Sequence, residues 1–149
     1  MDKDIFYMKL ALKEATNAYF LDEVPIGCVI VFHDQVLVST YNRKTIDQIA
    51  TSHAEILAIN EACRQLGSWY LDECILYTTV EPCLMCTGAI IQSRIKRVVY
   101  GCSNQDFGYL SQLKNSKIEV VSGILEDECV SILRDFFQKK RKQHKEEVS

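Results

Sequence analysis

The sequence contains few of the features that mark membrane, exported or disordered proteins. No run reaches the roughly 18 apolar residues that a membrane-spanning helix needs. The first residues, MDKDIFYMKLALKEA, carry a charge in every turn, which is not the pattern of a secretory signal. Two prolines and six glycines are too few for a low-complexity chain. We therefore predict a soluble, cytoplasmic protein whose 149 residues form a single domain, residues 1–149.

The chain also lacks the excess of positive charge that proteins coating nucleic acids carry. Its formal net charge is -3. Five basic residues nevertheless crowd into the C-terminal segment 139–149: Lys139, Lys140, Arg141, Lys142 and Lys145. We predict a basic, frayed tail in this segment, which either contacts RNA or is simply solvated.

Seven cysteines are an odd number for a chain without an export signal, so a disulfide framework is not expected. Two of them, Cys83 and Cys86, share one short motif with Pro82. The other five fall in apolar surroundings, where a free cysteine acts as a small hydrophobic residue. We predict structural roles for these five: Cys28, Cys63, Cys74, Cys102 and Cys129.

The hydrophobic pattern predicts strands and helices that alternate after an initial helix and hairpin. Apolar residues recur at helical spacing over residues 4–19, 54–66 and 126–142, and a further helix starts near Pro82 and ends near Ser93. Apolar and β-branched runs predict strands over residues 28–32, 35–41, 75–80, 97–100 and 118–121, with a loop over 42–52. This order predicts the α/β class, as a three-layer α/β/α sandwich around a mixed sheet of about five strands.

Two short motifs open neighbouring helices of this predicted fold. His53-Ala54-Glu55 begins one helix, and the Pro82-Cys83-Leu84-Met85-Cys86 run begins the next. Two cysteines three positions apart at a helix N-terminus lie on one face, and the helix dipole favours their thiolates. One histidine and two thiolates form a donor set of catalytic zinc sites that leave the fourth position to water. We predict one Zn²⁺ per chain on His53, Cys83 and Cys86.

Glu55 lies two residues after His53 and therefore points in a different direction on the helix. It can face an activated water without binding the metal, take the water's proton and return it to a ring nitrogen and then to the leaving amine. The order H-x-E followed by P-C-x-x-C is the signature of zinc-dependent nucleobase deaminases. The residues therefore predict a deaminase with Glu55 as the catalytic acid and base.

Other interpretations of the motif remain open from the residues alone. A closed zinc site that only braces the fold needs a fourth protein ligand, for which Cys74 and Cys102 are candidates. A non-catalytic, zinc-braced RNA-binding module is a further alternative, although such a module has no use for a carboxylate like Glu55. Leu84 and Met85, between the two cysteines, are predicted to lie in the core.

With these motifs in place, the chain resembles the bacterial tRNA-specific adenosine deaminase family over nearly its whole length. The matching segments are 23–27 (EVPIG), Asn42, 53–55 (HAE), 79–86 (TVEPCLMC), 88–90 (GAI), 93–95 (SRI) and 123–129 (GILEDEC). The resemblance implies a cytidine-deaminase-like fold, one zinc per chain, a homodimer and conversion of the wobble adenosine of a tRNA anticodon to inosine. It also implies that Asn42 hydrogen-bonds the purine, that Ile26 packs beside it and that the backbone of Ala54 helps to fix its edge.

The chain departs from the family pattern in two places. The family usually has a longer Gly/Ala/Ser-rich loop after the position of Cys102, and segment 103–117 is shortened here. Residues 49–52 read Ile-Ala-Thr-Ser in place of the common Asp-Pro-Thr-Ala. The alternative substrate is thus a free nucleobase, cytosine or guanine, which enzymes of the same fold deaminate with the same ligands. Arg94, Lys96 and Arg97 either contact tRNA phosphates or flank a strand.

Overall fold

The structure is a computed structural model that describes residues 2–148. Five helices and five strands follow one another in the order α1 Lys3–Phe20, β1 Gly27–Phe32, β2 Gln35–Tyr41, α2 Lys44–Asp47, α3 Ala54–Leu66, β3 Cys74–Val80, α4 Leu84–Gln92, β4 Arg97–Cys102, β5 Glu119–Val121 and α5 Glu126–Val148, with a short 3₁₀ turn at Leu110–Gln112. No helix within residues 2–148 combines the length and the apolar character that crossing a bilayer requires.

The sheet has the strand order β2-β1-β3-β4-β5. The β1 strand pairs antiparallel with both β2 and β3, whereas β3, β4 and β5 run parallel to one another. Helices α3 and α4 pack on one face over a core that includes Ile30, Leu76 and Val98, and α1 and α5 cover the other face. The predicted three-layer α/β/α sandwich with a mixed five-stranded sheet is confirmed.

Helix α1 begins where the side chain of Asp2 accepts a hydrogen bond from the backbone N–H of Asp4, at 2.8 Å. The middle and C-terminal part of its buried face consists of alanines, among them Ala11 and Ala15, so the helix lies very close to β1 there. A Cβ on Gly27 would overlap the carbonyl oxygen of Ala11. Glycine is therefore required at the start of β1, because the helix backbone occupies the space of a side chain.

Two local expectations from the sequence were wrong. The predicted loop 42–52 contains the one-turn helix α2, because the buried carboxylate of Glu23 accepts hydrogen bonds from the N–H groups of Thr45 and Ile46. The last helix does not end at residue 142 but runs to Val148. Its basic segment is tethered where it begins, since Lys140 pairs with Asp22.

All seven cysteines are free thiols. Four of the five that were predicted to be structural are buried, namely Cys28, Cys74, Cys102 and Cys129, and Cys63 is half-buried on α3. Each therefore lies among packed side chains, as a small hydrophobic residue does.

Candidate metal and catalytic site

The N-termini of α3 and α4 meet on one face of the sheet. His53 is the residue that caps α3, and Cys83 occupies the same position at the start of α4, three residues after β3 ends. Both have extended backbone conformations, and Cys86 follows one turn into α4. Because both helices present their positive ends here, the site favours thiolates and other anions.

The side chains of His53, Cys83 and Cys86 form a cluster whose ligand atoms all lie within 4.8 Å of one another. Nδ1 of His53 is 3.6 Å from Sγ of Cys83 and 3.5 Å from Sγ of Cys86. Tetrahedral coordination with Zn–S near 2.3 Å and Zn–N near 2.05 Å sets a sulfur–nitrogen separation of about 3.6 Å. The cluster therefore has the donor types and the spacing that a tetrahedral metal ion requires.

The two thiols have opposite tendencies to ionise. A hydrogen bond from Cys86 lowers the pKa of Cys83 to about 3, and the proximity of His53 adds to this effect. The same hydrogen bond, together with burial, raises the pKa of Cys86. The thiolate of Cys83 in turn raises the pKa of His53. A thiolate beside an imidazole is thus already favoured at neutral pH.

Glu55 is buried next to this cluster, with only 4 % of its surface exposed. Burial raises the pKa of its carboxyl group to about 7. Its carboxylate hydrogen-bonds the thiol of Cys86, and it lies close enough to Cys28 on β1 to raise the pKa of that thiol as well. A carboxyl group with a pKa near 7 exists in both protonation states at neutral pH, as a residue that both takes and returns a proton must.

The fourth position of the cluster has no protein ligand among residues 2–148. Neither Cys74 nor Cys102, the candidates for a closed structural site, belongs to the cluster. The prediction that Leu84 lies in the core was wrong, since its side chain is 63 % exposed. Leu84 follows the residue that caps α4 and is exposed to solvent, whereas Cys86 is fully buried.

Ile26 and Asn42 lie side by side, because the N–H of Asn42 donates to the carbonyl of Ile26 at 3.0 Å. Asn42 is buried, and its Nδ2 makes a long contact of 3.5 Å to the carbonyl of Val24. No hydrogen bond within residues 2–148 involves its Oδ1, so that oxygen is available to a ligand. Ala54 is buried in the first turn of α3, where Thr40 donates to its carbonyl at 2.7 Å.

Sequence reasoning assigned no role to Glu81, which is 3 % exposed and directly precedes Pro82. Its carboxylate accepts hydrogen bonds from the N–H groups of Asn104, at 3.4 Å, and Ser111, at 2.8 Å. A Cβ on Gly108 would collide with the same carboxylate. Glu81 therefore fixes both ends of the loop 103–111 against the start of α4.

Glu23 has the same function for the loop 42–52, which lies on the other side of the site: its carboxylate accepts hydrogen bonds from two backbone N–H groups of that loop. Glu23 is 1 % exposed and anchors α2, which begins two residues after Asn42. The signal that could have identified both residues is a glutamate directly beside a buried apolar segment. A carboxylate in that position must find hydrogen-bond donors when the chain folds.

Of the three basic residues considered as phosphate contacts, Arg97 is already paired with carboxylates of this chain. It donates to Oδ1 and Oδ2 of Asp4, at 2.9 and 2.8 Å, and pairs with Glu119. Arg94 and Lys96 are exposed. The alternative interpretation, a residue that flanks a strand, therefore holds for Arg97.

Comparisons with known proteins agree with this geometry. The family described as MafB19-like deaminase matches residues 1–141. The tRNA-specific adenosine deaminase of Bacillus subtilis (strain 168) is 42% identical over 97% of this chain and 95% of its own length.

A solved structure from a study of A-to-I editing by tRNA deaminases at the wobble position of transfer RNA superposes with a TM-score of 0.82, at 38% identity over 86% of this chain and 99% of that one. A guanine deaminase from Nitrosomonas europaea has a TM-score of 0.78 at 25% identity, covering 87% of this chain and 81% of its own. The chain therefore belongs to the tRNA-specific adenosine deaminase family.

Proposed function

We propose that the protein is a hydrolytic deaminase that converts adenosine to inosine at the wobble position of a tRNA anticodon, with release of ammonia. One Zn²⁺ per chain binds His53, Cys83 and Cys86, and Glu55 is the catalytic residue. The observation that carries the proposal is the buried carboxyl group of Glu55 beside the clustered side chains of His53, Cys83 and Cys86. Relatives named tRNA-specific adenosine deaminase support the substrate.

A zinc ion with three protein ligands supplies a water that ionises at neutral pH. Glu55 as a carboxylate accepts a proton from the attacking water while the new C–O bond forms at C6 of the adenine. As a carboxylic acid it delivers that proton to the neighbouring ring nitrogen. It then moves a second proton from the added oxygen to the exocyclic amine, which leaves as ammonia when the C–N bond breaks.

The residues around the base hold it in register for these transfers. The free Oδ1 of Asn42 is an acceptor for a purine N–H, and Ile26 provides an apolar surface at the same point of the strand edge. The backbone of Ala54, between His53 and Glu55, fixes the edge of the base. We propose these three as the substrate-binding residues.

An anticodon loop is a physically reasonable source of the base. Moving a base out of a helical stack costs a few kcal/mol, and the cost is least for a nucleotide that is already unpaired. The enzyme needs no strong positive charge to open such a loop, which is compatible with its net charge of -3.

A free nucleobase, cytosine or guanine, is the second candidate substrate, and two observations favour it. The guanine deaminase from Nitrosomonas europaea shares the fold at 25% identity, and the loop 103–117 of this chain is short. The higher identity and coverage of the tRNA deaminases favour the tRNA substrate. A non-catalytic RNA-binding module is disfavoured because it does not explain why the carboxyl group of Glu55 is buried beside the metal-ligand cluster.

We also propose that the protein works as a homodimer in the cytoplasm, where tRNAs are found. Two exposed apolar side chains of the α3/α4 layer support an interface on that face of the molecule: Leu84 in the first turn of α4 and Trp69 beyond the C-terminal end of α3, which are 63 % and 64 % exposed.

The test is inosine formation at the wobble position of an unmodified arginine tRNA with an ACG anticodon. The parent protein and Glu55→Ala are compared at equal zinc content. We expect inosine from the parent and a rate at least about 100-fold lower from Glu55→Ala. A zinc-loaded, folded parent that forms no inosine contradicts the proposed substrate, and equal rates contradict the role of Glu55.

A further inference from the structure

Phe107 is an exposed aromatic residue close to the metal-ligand cluster. Its side chain is 74 % exposed. Its neighbour Gly108 pairs with Cys83 in an isolated antiparallel bridge. Bridge partners have Cα atoms about 5 Å apart, and successive Cα atoms are about 3.8 Å apart. The backbone of Phe107 therefore lies within about 9 Å of a residue of the cluster.

The loop that carries Phe107 is held from both sides. The backbone N–H of Phe107 donates to Oδ1 of Asn104 at 3.1 Å, and the N–H of Tyr109 donates to the carbonyl of Pro82 at 3.0 Å. The buried carboxylate of Glu81 accepts from two further N–H groups of the same loop. Because the loop is already ordered, a ligand that contacts the ring loses little free energy in fixing it.

A single exposed apolar side chain is common on protein surfaces and by itself indicates nothing. Phe107 differs because it belongs to a loop that is held by hydrogen bonds, and because the residue after it, Gly108, pairs with Cys83. A base bound for deamination leaves its neighbours in the RNA strand just outside the site. Unpaired bases bind preferentially by stacking on aromatic rings.

We propose that Phe107 stacks on an unpaired nucleobase adjacent to the target adenosine in the RNA. This inference rests on the proposed tRNA substrate and adds a residue that selects RNA over a free base. A free nucleobase has no flanking nucleotide, so it gains nothing from the ring. Stacking on one base changes affinity by about 5- to 150-fold.

The test measures the Kd of an anticodon stem-loop RNA by fluorescence anisotropy. Phe107→Ala removes the ring, and Phe107→Trp keeps a stacking surface. The matched control is Phe20→Ala, since Phe20 is 78 % exposed at the C-terminal end of α1, on the face of the sheet opposite to the cluster, in a groove lined by the carboxylates of Asp127, Glu128 and Asp135. We expect Phe107→Ala to weaken binding about 5- to 150-fold, while Phe107→Trp and Phe20→Ala stay within about twofold of the parent. Parent-like affinity in Phe107→Ala overturns the proposal.

Two further stem-loop RNAs show which base stacks on Phe107. One lacks the base on the 5′ side of the adenosine and the other lacks the base on its 3′ side. On the RNA without the stacked base, Phe107→Ala should cause no further loss, whereas on the other RNA its full effect should remain. An undiminished effect on both RNAs overturns stacking on an adjacent base.

Binding and inosine formation are read separately, so the two proposals fail separately. Inosine formation by the parent with no effect of Phe107→Ala on binding overturns only the stacking. Binding that depends on Phe107 without inosine formation overturns only the proposed reaction. A parent protein that binds no RNA overturns both.

Discussion

Three glutamates close to the site, Glu23, Glu55 and Glu81, are all buried, yet their surroundings suit them to different tasks. Glu23 and Glu81 each accept hydrogen bonds from two backbone N–H groups of a loop. Glu55 instead faces thiols, and burial raises its pKa to about 7. A carboxylate whose lone pairs are occupied by backbone donors acts as an anchor. Glu55 also accepts a hydrogen bond from its own backbone N–H, but burial outweighs that bond and leaves its carboxyl group with a proton to exchange.

The metal assignment is tested at the level of single cysteines. Cys83→Ser should lower the zinc content at least tenfold, because a hydroxyl does not ionise at neutral pH and binds zinc poorly. Cys63→Ser is the matched control, since Cys63 is half-buried on α3 and outside the cluster. Zinc per chain is measured by elemental analysis after gel filtration. A Cys83→Ser protein that retains one zinc would rule out Cys83 as a ligand.

The sequence motifs predicted that His53, Cys83 and Cys86 lie together, and the structure brings their ligand atoms within 4.8 Å of one another. The motifs did not identify the tasks of Glu23 and Glu81. The donors of Glu23 lie 22 and 23 residues further along the chain, and those of Glu81 lie 23 and 30 residues further. Such partners become neighbours only through the folded sheet, so the apolar surroundings in the sequence can indicate a buried glutamate but not the backbone donors that it binds.

At the scale of elements, two loops frame the start of α3 and α4. One carries α2 and is anchored by Glu23, and the other spans residues 103–111 and is anchored by Glu81. The sequence predicted the long helices well because their apolar faces repeat every three to four residues. It missed α2 and the end of α5 because a single turn and a charged helix end have no such face.

The packing of the second loop can be tested with two glycines. Gly108→Ala should destabilise the protein by about 1–3 kcal/mol, because the new methyl group would lie against Glu81 and 2.5 Å from the carbonyl of Asn104. Gly88→Ala is the control on α4, where no atom lies within 4 Å of the added Cβ, and should be neutral or stabilising. Urea denaturation compares both with the parent. Equal stability of the two variants would show that the loop is not packed as described.

At the scale of the whole molecule, one ion pair joins the first helix to strands that lie far from it in the chain. Asp4 at the start of α1 accepts two hydrogen bonds from Arg97 on β4 and one from the hydroxyl of Tyr77 on β3, at 2.6 Å. Arg97 also pairs with Glu119 on β5. The sequence predicts five strands and three layers but not the strand order β2-β1-β3-β4-β5. Strands that are neighbours in the sheet, such as β1 and β3, are distant in the chain, so no local pattern indicates that they pair.

This ion pair should make stability depend on pH in a defined range. The guanidinium of Arg97 lowers the pKa of Asp4 below its ordinary value of about 4. A lowered pKa stabilises the fold fully above that value, and the contribution is lost as pH falls through the folded-state pKa. Asp4→Asn should therefore cost about 2–3 kcal/mol at pH 7, and the difference from the parent should shrink below about pH 4.

The measurement is urea denaturation of both proteins between pH 7 and pH 3, after removal of metal with a chelator so that metal loss does not contribute. A constant difference across this range would contradict the role of the Asp4 carboxylate.

The central claim is that the substrate is an adenosine in RNA rather than a free base. The most direct measurement compares kcat/KM of one zinc-loaded preparation for the wobble adenosine of an ACG-anticodon arginine tRNA and for free guanine and cytosine. The account predicts turnover of the tRNA and none of the free bases above the level of Glu55→Ala. Turnover of guanine or cytosine without inosine in the tRNA would contradict it.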